Sequence, residues 1–372
     1  MSMSENLQDY VKGIWSWSSS LSEYGVEKAV KELKEMGFTD LFILAKGTTG
    51  TVYWPSKIAI SVSKNNAVLP KASEICKKLN IRLHAWFIVS QDKSYLKLNP
   101  SSGMWGIPLE ELSHEYRLGE HTCFRVSTSV VDFTDQNYRE YFFSLIKEIV
   151  SNYEPEGIHL DYIRYPNGAW GWGPSQIHRL RIFDLDGEKL LKKAIQTWGR
   201  NGDGRSFLDA FEHGDPDVIK WVELRVDDVK DFTQATSQLI KNMRDSIIFS
   251  AALIPEGGDP NPSERNFASI HCGQRYQDFA ELCDLMLPMA YHQDFNRSNS
   301  WIEDITKATH KIAMGKSRVV IGIQAHNNIR THEVVEAIKI AQNSGADGVC
   351  IFAFHEVFKN EEMRLFLSRC MN

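Results

Sequence analysis

The sequence predicts a single (β/α)8 barrel, and three observations support this fold class. Short runs rich in β-branched and aromatic residues alternate with longer stretches of helical periodicity, which indicates parallel strands joined by crossover helices. The short runs are almost continuously apolar, as in strands that are covered on both faces. Eight such runs occur along the chain, and eight parallel strands favour a closed barrel over an open sheet.

The predicted strands are distributed over the whole chain. Their bounds, in chain order, are 13–18, 40–46, 81–89, 157–165, 247–255, 284–292, 319–326 and 348–355. Helical faces lie between them, such as those formed by Val26, Ala29, Val30 and Leu33 and by Tyr138, Phe142, Leu145 and Ile149. Turn residues separate each helix from the next strand, as in EMGFTD and NSGADG.

The chain is longer than a bare barrel requires. It has 372 residues, whereas a (β/α)8 barrel typically needs roughly 250. Two intervals, 90–135 and 167–245, are too long for simple loops and leave from the carboxyl ends of strands, the face on which such barrels build active sites. We therefore predict one domain, 1–372, with two insertions that shape a cleft. Trp170 and Trp172, in the second insertion, either fill a local core or stack on a ligand.

Composition indicates an ordinary soluble globular protein. Hydrophobic residues make up 42% and charged residues 24% of the chain, and the net charge is −6, so no basic surface for nucleic acid is expected. The first residues are polar and acidic, and no apolar run approaches the ~20 residues needed to span a bilayer. The sequence thus predicts a cytoplasmic protein with neither a nucleic-acid nor a membrane partner.

Motifs for metals, phosphates and disulfides are missing from the sequence. The six cysteines, 76, 123, 272, 283, 350 and 370, form no CxxC pair and are predicted to be reduced and mostly buried. No HExxH motif occurs, and GTTGT after the second strand lacks the GK[ST] ending of a phosphate-binding loop. We therefore predict neither a metal site nor a cofactor.

The strongest local feature is EGIHLDYIRYP at 156–166, where an apolar strand ends in polar residues. Side chains alternate along a strand, so Asp161 should face the barrel lumen, while Tyr162 and Arg164 share the opposite face, beneath the helices. Asp161 could simply pair with Arg164 or cap a helix. Its position at the carboxyl end of a barrel strand favours a functional role.

This segment also carries a family resemblance. GIHLDYIRYP resembles the signature of the glycosyl hydrolase-like family 10 proteins, and PMAY at Pro288 to Tyr291 resembles the sixth-strand motif of that family. The resemblance extends over essentially the whole barrel, from GIWSWS to FAFHE, and implies carbohydrate hydrolysis. The chain is more distantly similar to the family 18 chitinases, with Asp161 at the last aspartate of DGxDxDxE. His159 replaces an acid of that motif, and Ile163 or Arg164 stands at its catalytic glutamate, so a chitinase-type mechanism is not expected.

Glycoside hydrolysis usually needs two carboxyl groups, so Asp161 needs a partner. Acids at the other strand ends are Glu256, Glu356, Asp294 and Asp92. Glu256 is the first choice because the fifth strand is adjacent to the fourth, and Glu356 is the second. Glu256 has an alternative interpretation as a solvated loop acid.

Carbohydrate binding calls for flat apolar faces and a few polar groups. Residues at or near the predicted carboxyl ends of strands that meet this need are Trp17, Lys46, His84, Trp86, Arg164, Tyr291, Gln324 and His326. We expect substrate contacts first from Lys46, Trp86, Arg164 and Tyr291. Trp17 and Trp86 have an alternative role in packing the upper layer of the barrel.

Three functions remain open at the level of sequence. The leading hypothesis is a glycosidase that uses Asp161 on an oligosaccharide or polysaccharide. A non-catalytic carbohydrate-binding barrel would keep the aromatic groove without a competent acid pair. A polysaccharide lyase or deacetylase would use His84 or His326 as the base.

Overall fold

The computed structural model describes residues 10–62, 67–107, 124–198 and 206–372. Its strands are β1 (Val11–Ser16), β2 (Asp40–Lys46), β3 (Arg82–Ile88), β4 (Gly103–Gly106), β5 (Arg125–Val131), β6 (Gly157–Asp161), β7 (Ile248–Leu253), β8 (Leu285–Pro288), β9 (Arg318–Gln324) and β10 (Gly348–Phe352). All but β4 and β5 are parallel and close a barrel in chain order, with β10 beside β1. The predicted (β/α)8 fold is confirmed.

Helices surround this barrel. They are α1 (Ser18–Tyr24), α2 (Val26–Glu35), α3 (Val68–Leu79), α4 (Lys93–Leu98), α5 (Gln136–Tyr153), α6 (Pro174–Ile182), α7 (Gly187–Trp198), α8 (Ser206–Glu212), α9 (Pro216–Met243), α10 (Pro262–Cys272), α11 (Tyr276–Leu282), α12 (Ser300–Ala313), α13 (Thr331–Asn343), α14 (Phe354–Lys359) and α15 (Glu361–Met371). The apolar faces predicted for α2 and α5 are buried, which confirms them. Over the described ranges, no helix combines the length and apolarity needed to cross a membrane.

Every barrel strand except β2 ends earlier than the sequence predicts, and the difference is largest, three or four residues, for β6, β8 and β10. The fourth predicted strand stops at Asp161 because Tyr162 adopts a left-handed backbone, with φ of 53°, which breaks the alternation of side chains. Tyr162 therefore packs with the lumen cluster around Trp86, and its predicted place beneath the helices is wrong. The last strand stops at Phe352, and α14 begins two residues later.

The two predicted insertions meet at a β-bridge between Gly106 and Trp170, and α9, which ends the second, packs against the outer helices α5 and α11. The first contributes α4 and the antiparallel pair β4–β5, and the second contributes α6 to α9. The second insertion forms a separate hydrophobic cluster together with Ile107, Phe124 and Ile270. In this cluster Trp172 is 1% exposed and stacks on Trp221 at 5.8 Å between ring centroids. Trp172 is therefore a packing residue. Trp170 stays half-buried beneath the Arg125 guanidinium, 4.4 Å from its ring centroid.

A buried polar layer crosses the lumen below the mouth. His84 Nε2 lies 2.9 Å from Asp40 Oδ1, and Arg82 Nε donates to the same oxygen at 2.7 Å. Burial alone would raise the pKa of Asp40, but the hydrogen bonds from Arg82 and His84 outweigh it and lower that pKa. His84 is thus a fully buried barrel residue, and its predicted position at the substrate face is not supported.

Gly157 makes room for this layer. A Cβ atom at position 157 would lie 2.0 Å from His84 Nδ1. We expect Gly157→Ala to lower the free energy of unfolding by about 2 kcal/mol, because neither the strand nor the paired imidazole can move freely. Urea unfolding would measure this. Gly47→Ala is the control, since its Cβ would meet only ordinary contacts, the nearest at 3.6 Å; equal stability losses in the two variants would contradict the prediction.

The cysteines agree with the predicted reduced state. Cys76, Cys272, Cys283 and Cys350 are buried free thiols, and Cys370 is a half-buried one. Burial raises the pKa of the Cys272 thiol to about 12. Cys123 lies outside the described residues.

Candidate active site

Asp161 lies at the carboxyl end of β6 and is 6% exposed. Its Oδ2 accepts a hydrogen bond from Trp86 Nε1 at 3.2 Å, and its Oδ1 accepts one from the Tyr162 backbone N–H at 2.7 Å. Arg164 Nη1 lies 3.8 Å from Oδ1. Burial raises the pKa of Asp161, and these three neighbours oppose the rise. The carboxyl group is therefore held in one orientation at the mouth of the barrel.

Four aromatic rings, contributed by Trp17, Trp86, Tyr291 and Phe352, line one side of the mouth and are called here the aromatic wall. Trp17 and Trp86 lie 5.4 Å apart, and Tyr291 stacks on Phe352 at 5.7 Å, both between ring centroids. Burial raises the pKa of Tyr291, and the charge of Asp161 raises it further, which places the phenol near that carboxyl group. Trp17, Tyr291 and Phe352 remain partly exposed. The wall therefore offers apolar ring surface beside Asp161.

Phe352 is the member of the wall that the sequence analysis missed. The available signal was its position at the carboxyl end of the last strand. Its neighbour His326 packs edge-on against both Phe352 and Tyr291, with ring centroids 5.3 Å apart in each case.

Glu256 lies just beyond the end of β7, in the short 3-10 helix Pro255–Gly258. Its Oε2 atom is buried and has no hydrogen-bond partner. Burial raises the pKa of Glu256, the charges of Glu264 and Asp259 add to the rise, and the charge of Arg164 opposes it. Arg164 therefore influences both candidate catalytic carboxyl groups, and its guanidinium also lies 4.4 Å from the Tyr162 ring centroid.

Tyr165, near the carboxyl end of the DYIRYP segment (161–166), is held by helix α9 of the second insertion. The Tyr165 hydroxyl donates to Asp228 Oδ2 at 2.6 Å. The Arg225 guanidinium lies 3.8 Å from the centroid of the Tyr165 ring and donates to the backbone carbonyls of Asn167, Trp170 and His271. Helix α9 thus anchors the loop that carries Arg164.

Lys46 does not reach the mouth. Its side chain is fully buried, and its Nζ lies 3.1 Å from Asp92 Oδ2 and donates to the carbonyls of Ile88 and Gln91, both at 2.9 Å. A register shift between Leu44 and Lys46 takes the lysine out of the alternating pattern of β2. The predicted substrate contact from Lys46 is therefore not supported, and Asp92 is a structural partner that also caps α4 through the Tyr95 N–H.

Gln324 is also fully buried, although it lies at the end of β9. Its Nε2 donates to Asp294 Oδ1 at 3.0 Å, and its Oε1 accepts from the backbone N–H of Gln293 at 3.2 Å. His326 Nε2 lies 2.8 Å from Asp294 Oδ2. Gln324 and Asp294 therefore hold the loop after β8, which begins at the aromatic wall. Glu356 is partly exposed on α14 and pairs with His355 at 2.9 Å.

The structure brings some of the predicted site residues together. Asp161, Trp86 and Arg164 are in contact, and Trp17 and Tyr291 belong to the adjoining wall. Within the part of the chain that the structure describes, no group of three or more His, Cys, Asp or Glu residues is placed to hold a metal ion.

Comparisons with known proteins bear on the fold. No family model and no curated protein sequence matches the chain, so the resemblance to glycosyl hydrolase-like family 10 stays a prediction. The chain is similar in structure to the PgaB (BpsB) glycoside hydrolase domain of Bordetella bronchiseptica, with a TM-score of 0.73, 12% identity and coverage of 97% of this chain and 99% of that one.

Two further solved structures are similar. The catalytic domain of β-amylase from Paenibacillus polymyxa gives a TM-score of 0.60 at 9% identity, covering 96% of this chain and 95% of its own. A GH18 chitinase from Pseudoalteromonas aurantia gives 0.50 at 10% identity, covering 97% and 99%. At such low identities the likeness shows a shared barrel fold alone.

Proposed function

We propose that this protein is a glycoside hydrolase that cleaves an oligosaccharide or polysaccharide lying across the barrel mouth, with Asp161 and Glu256 as its carboxyl pair. The observation that carries the proposal is the Asp161 carboxyl group, oriented by Trp86 and Arg164 beside the aromatic wall. Glycoside hydrolases among the similar barrels support the reaction class.

The environments of the two carboxyl groups suggest different roles. Asp161 receives two hydrogen bonds and a nearby guanidinium, all of which favour its ionised form. Glu256 has an unpartnered oxygen and two acidic neighbours, Glu264 and Asp259, which favour its protonated form. We therefore assign Glu256 as the general acid and Asp161 as the ionised partner.

The reaction then follows the usual chemistry of such pairs. Glu256 gives its proton to the glycosidic oxygen while the bond from that oxygen to the anomeric carbon breaks. Asp161 either attacks the anomeric carbon, which leads to retention, or takes a proton from the attacking water, which leads to inversion. In both cases water supplies the new hydroxyl group.

The aromatic wall is the proposed platform for sugar rings. Trp17, Tyr291 and Phe352 are partly exposed aromatic residues, and aromatic rings suit the apolar face of a sugar. Arg164 completes the set of proposed contacts. Lys46, His84 and Gln324 act only by holding the barrel and its loops, because their side chains are fully buried.

A screen of saccharides tests the function. The full-length protein should release new reducing ends from at least one polysaccharide or cleave at least one chromogenic glycoside. A protein that binds a saccharide in calorimetry but never cleaves it would instead be the non-catalytic carbohydrate-binding barrel.

The assignment of the acid predicts a pH effect. Burial raises the pKa of both Asp161 and Glu256, so kcat/KM should rise as Asp161 ionises and fall as Glu256 loses its proton, with both limbs above the ordinary carboxyl range. Glu256→Gln should remove the alkaline limb when activity is measured on an aryl glycoside whose leaving group needs no protonation. Glu356→Gln is the control and should retain that limb; the reverse pattern would make Glu356 the acid.

A further inference from the structure

Several buried polar atoms on the β6 and β7 side of the mouth have no hydrogen-bond partner. They are Arg164 Nη1, Glu256 Oε2 and His271 Nδ1. Hydrogen bonds hold their three segments together. The Tyr165 N–H donates to the Cys272 carbonyl at 3.0 Å, and the Gln274 side chain bridges the Ile163 carbonyl, at 3.2 Å, and the Ile254 N–H, at 3.0 Å. The charge of Arg164 also lowers the pKa of both His271 and Glu256. Trp198 Nε1 is also buried and unpartnered, and its ring lies 6.4 Å from the His271 ring between centroids. These four residues are called here the polar cluster.

The polar cluster is assembled from distant parts of the chain. Arg164 follows β6, Glu256 follows β7, His271 lies near the end of α10, and Trp198 ends α7. Buried polar groups in folded proteins are nearly always paired, since an unpaired one costs on the order of 1–3 kcal/mol. Several such groups gathered on the side of Arg164, whose Nη1 lies 3.8 Å from Asp161 Oδ1, therefore indicate a site that pairs with a ligand.

His271 is held rigidly in this position. Its ring stacks on Phe267, with 4.8 Å between centroids and an angle of 23° between the planes. Its carbonyl accepts a hydrogen bond from Arg225 Nη2 at 3.3 Å, so the end of α10 is fixed to α9. A side chain fixed in this way can recognise a ligand group without reorganising.

The hydrogen-bonding character of the cluster limits the ligand. Burial lowers the pKa of His271 to about 4, with the charges of Arg225 and Arg164 adding to the effect, so the imidazole is neutral at pH 7 and has one donor and one acceptor nitrogen. Arg164 and Trp198 donate only, whereas the protonated carboxyl group proposed for Glu256 can both donate and accept. Hydroxyl groups both donate and accept, and match this mixture.

An anionic ligand fits less well. A carboxylate or sulfate group only accepts hydrogen bonds and would lie near the negative charges of Glu264 and Asp259, which act electrostatically on Glu256. Asp161 adds another carboxyl group beside Arg164. Like charges brought together in a poorly solvated site repel strongly.

We propose that the polar cluster is a subsite for a neutral sugar residue, whose hydroxyl groups pair with Arg164, His271 and Trp198. The substrate is then an uncharged saccharide rather than a polyuronate or a sulfated polymer. This inference rests on the proposed function, since it supplies the substrate class for the same cleft.

Binding to the full-length Asp161→Asn variant tests the substrate class without turnover. Isothermal titration calorimetry would compare neutral hexasaccharides of glucose, mannose, galactose and N-acetylglucosamine with hexagalacturonate. At least one neutral hexasaccharide should bind, and hexagalacturonate should bind at least about tenfold more weakly. Equal or tighter binding of hexagalacturonate, or no binding of any neutral hexasaccharide, would overturn the inference.

Two further substitutions, each made in the Asp161→Asn variant, test individual residues of the polar cluster. His271→Ala should weaken binding of the neutral hexasaccharide about five- to tenfold, and Trp198→Phe, which removes the N–H and keeps a packed ring, about fivefold. His310→Ala is the control, because His310 lies on α12 beside Asp347, just before β10 and so at the opposite end of the barrel. If His271→Ala and Trp198→Phe both match the control, the cluster is not a subsite.

The outcomes separate this inference from the proposed function. If the wild-type protein cleaves saccharides but the His271 and Trp198 variants bind like the control, the subsite fails and the hydrolase stands. If neutral saccharides bind through His271 but are never cleaved, the hydrolase fails and the subsite stands.

Discussion

Replacing Asp161 by asparagine is expected to lower kcat by at least about a thousandfold, because the amide can neither attack the anomeric carbon nor accept a proton from water. Binding of the saccharide should persist, since the amide keeps the size of the side chain and an oxygen that can accept from Trp86 Nε1. The measurement is initial-rate kinetics on whichever saccharide the wild-type protein cleaves, with calorimetry for binding.

Stability of this variant provides an internal check. Burial raises the pKa of Asp161 in the folded state, so the stability that its protonated form contributes is present at low pH and is lost as pH rises through the folded pKa. At pH 7 the neutral asparagine avoids this loss, which offsets the loss of the acceptor for the Tyr162 N–H, and the melting temperature should stay within about 5 °C of the wild-type value. Asp231→Asn, at a side chain that is 76% exposed, is the control and should keep full activity. Wild-type turnover in Asp161→Asn would remove Asp161 from the mechanism.

Replacing Asp92 by asparagine is expected to lower the free energy of unfolding by about 3 kcal/mol, because it leaves the buried Lys46 ammonium group without its counter-charge. Both side chains of this pair are fully buried, and they lie 3.1 Å apart. Asparagine can still cap α4 by accepting from the Tyr95 N–H, so the change isolates the loss of charge. Urea unfolding monitored by tryptophan fluorescence would measure the effect.

The exposed pair formed by Glu27 and Lys31 is the matched control. Their charged atoms are 2.8 Å apart, but more than half of each side chain is exposed. Glu27→Gln should leave the free energy of unfolding unchanged within error, because water solvates the remaining charge. The double variant Lys46→Met with Asp92→Asn should recover part of the stability lost in Asp92→Asn alone. A small effect of Asp92→Asn would indicate that Lys46 is solvated, and would reopen its predicted role in binding.

The placement of single side chains near strand ends depended on backbone details that the sequence pattern does not carry. Lys46 ends an apolar strand and was expected to contact the substrate, yet a register shift in β2 turns it toward Asp92. Tyr162 looked outward by alternation, yet its left-handed backbone turns it toward the lumen. The error at Tyr162 came from extending the strand period past the residue at which the strand stops being regular, and the error at Lys46 from assuming that a polar residue at a strand end faces the substrate.

His84 illustrates a second kind of error, which concerns depth within the barrel. Its strand continues to Ile88, four residues nearer the mouth, and His84 pairs in register with Gly157 at the start of β6. The depth of a side chain inside the barrel depends on how far neighbouring strands are offset along the barrel axis. Closure of the barrel sets this offset, and no single strand determines it.

The sequence by itself determined the barrel, the helical faces and the position of Asp161 at a strand end. These features are local. The periodicity of a strand or helix, and the residues that end it, can be recognised from consecutive positions in the sequence. Only the tertiary structure decided which groups surround Asp161. Trp86 and Tyr291 meet it from other strands, and His271 and Trp198 meet each other through helices whose packing no local pattern encodes. The Asp161 that the sequence marks thus acquires its proposed chemistry from contacts that form only when the barrel closes and the second insertion packs against it.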